Sequence, residues 1–86
     1  MQTFDFIDYI KMRVKRPAAD TPMGDLVGDL KSDLRTLEEL GTFTKIYDHV
    51  AATACSECLD VFRKFRTQYR RYCRRHDMLP EELLHI

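Results

Sequence analysis

Four side chains in the second half of the chain have the types and order of a metal site: Cys55-x2-Cys58-x14-Cys73-x2-His76. Three thiols and an imidazole would suit tetrahedral zinc. Between the two pairs, however, Leu59 to Tyr72 reads as unbroken helix without Gly or Pro. At the helical rise Cys58 and Cys73 would then stand about 22 Å apart. One ion could join the pairs only if that helix broke or if two chains lay antiparallel, so the plain expectation is ordinary buried or surface thiols and no metal. Cys55 and Cys58 can also be read as a redox pair, but the strand-then-helix setting of thioredoxin-like motifs is missing. Nothing in the pattern brings a cysteine beside His49 or His76, and His85 has no assigned role.

The second chemical signal is charge. The chain holds 14 Lys+Arg against 14 Asp+Glu and is formally neutral. Its charges are nevertheless segregated: residues 17–62 carry nine acids and three bases, whereas residues 63–76 carry seven bases and no acid. On a helical wheel Arg63, Lys64, Arg66, Arg70, Arg71, Arg74 and Arg75 fall within roughly 180°, opposite Phe62, Phe65, Tyr69 and Tyr72. Such a face places its cations along about 18 Å of axis and suits a phosphate backbone, because each arginine can grip phosphate and release a condensed counterion. The two tyrosines, opposite the basic arc, are expected in the core rather than stacked on bases. The bland alternative is a solvated face, or one met by the protein's own acids.

Asp25, Asp29 and Asp33 recur at steps of four and would form one carboxylate stripe on a helix. The stripe could dock a basic partner, including the basic helix of a second copy; otherwise it faces solvent. Gly24 and Gly28, also four apart, would offer a smooth patch for another helix. No phosphate loop, metalloprotease helix or nucleophile elbow is found, so no enzyme, cofactor or small-molecule substrate is expected. The opening Met1-Gln-Thr-Phe-Asp5 does not read as a secretory or mitochondrial leader, and no long apolar run suggests a membrane span. A cytoplasmic protein is expected.

With 86 residues, 44% of them hydrophobic, there is room for one modest core. Helical spacing of Phe4, Ile7, Ile10 and Val14 predicts a first helix ending before Pro17. Thr21-Pro22 predicts the start of a second, carrying Met23, Leu26, Val27 and Leu30 on its buried face. Thr36-Leu-Glu-Glu39 resembles a capping box for a short helix closed by Gly41. Thr42 should open a further helix with Phe43, Ile46, Tyr47 and Val50 inward. The last long helix spans roughly Glu57 to His76, and Asp77-Met-Leu ends it. The expectation is all-α: one domain over residues 1–77, compact, of four principal helices or five with the short one, then a turn or tail over residues 78–86 that includes a helical turn at Pro80–His85.

Over about residues 4–72 the chain resembles the small YozE-like proteins, which have a SAM-like (sterile-alpha-motif-like) helical fold. The resemblance rests on Phe4-Asp-Phe-Ile7, Asp20-Thr-Pro-Met-Gly-Asp-Leu-Val-Gly-Asp29 continuing to Asp33, Phe43-Thr-Lys-Ile-Tyr-Asp-His-Val50, and Phe65, Tyr69 and Tyr72. Here Tyr69 stands where family members carry tryptophan. The resemblance implies a SAM-like binding module, for nucleic acid or for protein association. The charge pattern adds that nucleic acid, DNA first, is gripped by the Arg-rich last helix, or, as the alternative, that protein association or homo-oligomers use Asp25, Asp29 and Asp33 against that helix.

Overall fold

In the computed structural model, which describes residues 2–16 and 20–81, five helices lie between two three-residue strands. The order is β1 (Gln2–Phe4), α1 (Phe6–Val14), α2 (Pro22–Ser32), α3 (Leu34–Leu40), α4 (Phe43–Thr53), α5 (Ser56–Arg75) and β2 (Met78–Pro80). The fold is all-α, as composition and periodicity predict.

Local chemistry explains several helix ends. Thr21 caps α2 by accepting from the Gly24 N–H at 3.0 Å, with Pro22 at the first helical position where no N–H is needed. Thr42 does the same for α4 with a longer bond of 3.4 Å from Lys45 N. Gly41, at φ 76°, closes α3 in left-handed geometry that costs a glycine nothing. Asp77, at φ 53°, turns the chain out of α5. The start of α3 departs from the expected capping box: the helix begins at Leu34, so Thr36 lies inside it, and Asp33 alone separates it from α2.

The core forms where the apolar faces of these helices meet. Phe6 sits at its centre, fully buried, with ring centroids of Phe43, Phe62, Phe65 and Tyr69 between 4.9 and 6.0 Å away. Ile10, Leu37 and Ile46 fill the space around it. α2 packs on both α1 and α5, and α3 bridges α2, α1 and α4. Gly24 is buried, but a methyl group added at Gly28 would meet nothing within 4 Å, so the expected close approach of another helix there does not occur.

The strands are the main departure from expectation. Phe4, in register with the apolar stripe of α1, belongs instead to β1, which pairs in parallel with β2: Gln2 opposite Met78, Thr3 opposite Leu79, Phe4 opposite Pro80. Parallel partners need a long crossover, and here all five helices form it. Phe4 packs its ring against Tyr9, Tyr69 and Tyr72, and its carbonyl accepts from the Tyr69 hydroxyl. Residues 78–80, expected as turn or tail, form β2, and Glu81 directly after it is buried to 7% exposure; residues 82–85 of the expected Pro80–His85 turn lie outside the described residues. Glu81 accepts from Phe6 N at 3.0 Å through Oε1 and from Phe43 N at 2.6 Å through Oε2. These are the first helical residues of α1 and α4, whose initial amides have no partner within their own helices. One buried carboxylate therefore closes two helix starts, while its own N–H donates to Tyr69 Oη at 2.6 Å. Nearby, burial, then the Glu81 charge, then Asp8 push the Asp5 carboxyl above its ordinary value.

Candidate nucleic-acid interface

α5 is continuous over 20 residues, about 30 Å, against a longest molecular dimension of 34 Å. Phe62, Phe65, Tyr69 and Cys73 are buried along one side. The continuity keeps Cys55 and Cys58 at one end and Cys73 and His76 at the other, so one chain does not gather the four into one site.

The seven basic residues divide into three groups. At one edge of the arc, Arg66 is half-buried with its guanidinium 5.3 Å from the Tyr47 ring centroid, and its buried Nε has no acceptor. Arg63 joins this edge, reaching Asp60 at 3.5 Å and the Tyr47 side chain, whose hydrogen bond holds the Arg63 pKa up. Lys64, Arg70 and Arg74 are exposed. At the other edge, Arg71 and Arg75 line an open groove of about 420 Å³ between α1 and α5, together with Arg13, Arg16, Tyr72 and His76.

Arg13 and Arg16 come from α1 and the turn after it, and residue spacing alone does not bring them to α5. Their signal is the cluster Lys11, Arg13, Lys15 and Arg16, but the face α1 turns toward α5 is decided by packing. Arg13 Nη1 donates to Tyr9 Oη at 2.8 Å and Gln68 Oε1 at 2.6 Å. Its guanidinium lies 5.7 Å from the Tyr9 ring and 5.2 Å from the Phe65 ring. A cation so held loses little rotamer freedom when an anion arrives. Tyr69 is buried in the core as expected, whereas Tyr72 is half-buried and forms the groove's aromatic wall with His76, ring centroids 4.3 Å apart.

Comparison with known protein families, curated proteins and solved structures finds no match.

The acidic stripe divides as well. Asp25 and Asp29 are exposed on α2, but Asp33, at the α2–α3 junction, holds His49 Nε2 at 2.9 Å. Among the described residues, the ion pairs Lys11–Glu38, Asp33–His49 and Asp60–Arg63 do not join the α2 acids to the α5 arginines. Also among these residues, no group of three His, Cys, Asp or Glu side chains converges as metal ligands, and no helix is long and apolar enough to cross a membrane.

Proposed function

We propose that this chain is a cytoplasmic binding module, not an enzyme, whose target is nucleic acid, DNA first, held through its phosphates. The observation that carries this reading is the groove in which Arg13 of α1 and Arg16 of the turn after it face Arg71 and Arg75 of α5 across an aromatic wall of Tyr72 and His76. Four guanidiniums along one groove match the repeating charge of a phosphate backbone, and Arg13 is already fixed by its bonds to Tyr9 and Gln68. Exposed Lys64 and Arg74 extend the same field along α5, while Arg63 and Arg66, engaged with Tyr47, contribute less. The resemblance of residues 4–72 to YozE-like, SAM-like proteins belongs to the same proposal.

Mobility shift with duplex DNA and single-stranded RNA tests it between about 50 and 200 mM salt, where phosphate binding predicts a steep loss of affinity. Replacing both Arg71 and Arg75 by Glu should weaken binding by at least about tenfold and flatten the salt slope by about two. Absence of any shift at the lowest salt overturns the reading. Exposed Asp25 and Asp29 support a competing interaction module that self-associates with the basic helix, for which salt-sensitive dimerisation without nucleic-acid binding would be the result.

A further inference from the structure

The boundary between α4 and α5 falls at Ala54 and Cys55, which places the Cys55-x2-Cys58 motif on the first turn of the longest helix. Cys55 is the N-cap residue, and its Sγ accepts from Cys58 N at 3.4 Å. The two sulfurs are 3.1 Å apart and both residues are exposed. A disulfide needs about 2.05 Å between sulfurs, so closure requires side-chain rotation and not rearrangement of the helix. What the redox motif demands physically is the positive end of a helix dipole beneath its first thiol, and α5 supplies that without a preceding strand. The thiol and backbone N–H of Cys58 lower the Cys55 pKa from its ordinary 9.0, while the same interaction, with burial, raises that of Cys58.

The pair also opens onto a cleft. A cavity of about 220 Å³ between α2, α4 and α5 is bounded by Cys55 and Cys58, floored by Leu26, Leu30 and Val50, and rimmed by Asp29 and the Asp33–His49 pair. Its carboxylates disfavour an anionic ligand and its floor accepts aliphatic carbon.

We propose that Cys55 and Cys58 form a thiol–disulfide exchange site whose reactant is a low-molecular-weight disulfide of neutral or cationic character, with Cys55 attacking and Cys58 resolving. Cys55 gives its proton to solvent, and the thiolate attacks one sulfur of the disulfide, forming a mixed disulfide and expelling one thiolate, which takes up a proton. Cys58 then loses its proton to solvent and attacks Cys55 Sγ, expelling the second thiolate, protonated in turn. The protein is oxidised by two electrons to the Cys55–Cys58 disulfide and the reactant is reduced to two thiols; excess dithiol reverses the sequence. Buried Cys73 takes no part.

The test is mass spectrometry of the full chain after timed exposure to cystamine or glutathione disulfide at neutral pH, with rates normalised to those of a free thiol. Wild type should end as an intramolecular disulfide without adduct. Cys58→Ser should retain one adduct on Cys55, and Cys55→Ser should react at least about tenfold more slowly. Cystamine should be favoured several-fold over glutathione disulfide, and Asp29→Asn should reduce that preference. Stable adducts on both cysteines of wild type, or equal reactivity of the two single variants, overturn the exchange site. Equal normalised rates for the two disulfides overturn its charge preference. Both cysteines are exposed, and unchanged helicity of the variants shows that reactivity rather than folding is being read.

Discussion

Glu81 shows how much of a small fold can rest on one carboxylate. It is buried, yet both oxygens are engaged by backbone N–H groups at helix starts, so its desolvation is offset by two charge-assisted bonds. Glu81→Ala leaves those amides without their acceptor and should cost about 3 kcal/mol in urea unfolding. Glu81→Gln, which keeps a single acceptor oxygen, should cost about half as much. Asp5 answers first to its own partial burial and then to the same charge, in the opposite sense. Its pKa is raised in the folded state, so the folded protein binds the proton more tightly, and stability is lost as pH rises from the ordinary value of 3.8 through the folded pKa. Asp5→Asn should therefore stabilise at neutral pH, by only about a few tenths of a kcal/mol because the side chain is exposed and screened. Well below pH 3.8 the gain should vanish, which urea unfolding at the two pH values checks. Neither role is visible in the sequence, where Glu81 and Phe6 lie 75 positions apart and no local pattern links them.

At the scale of elements, the legible features are those whose chemistry is local. Thr21-Pro22, Thr42 and Gly41 announce helix ends because the capping atoms belong to neighbouring residues. The α2–α3 break is hidden because it consists of Asp33 alone, with φ −103° and no Gly or Pro to mark it. β1 and β2 are hidden because three residues carry no periodicity, and Phe4 happens to continue the stripe of α1. The arginine face of α5 is readable from its own wheel; the opposing wall of the groove depends on how α1 rolls against α5. The Cys55-x2-Cys58 motif is legible, but its place at the N-cap of α5 is not, because helical periodicity locates a boundary less closely than that. Two substitutions test this account of helix ends and faces. Gly28→Ala, into open space on α2, should gain about 0.5–1 kcal/mol from helix propensity. Thr21→Ala should lose about 1 kcal/mol with its cap. Thermal unfolding followed by circular dichroism reads both.

For the molecule as a whole, neutral net charge conceals a basic groove between α1 and α5, and the closure of the fold depends on its last described residues. A chain ending at Asp77 would lack β2 and Glu81 together. Its melting temperature should fall by at least about 12 °C, taking about 3 kcal/mol for the carboxylate alone and the slope expected for a domain of this size. The parallel pairing of β1 with β2 carries a consequence for how the protein is made. On a ribosome α1 emerges ahead of the other four described helices, but the acceptor for its opening amide is added 75 residues later, a delay of roughly 4–15 s at ordinary rates of synthesis. Throughout that interval the nascent chain holds α1 unfastened at its start, and α4 joins it in the same condition. The order of synthesis therefore runs opposite to the order of closure: of the five described helices, the first made is among the last to be secured.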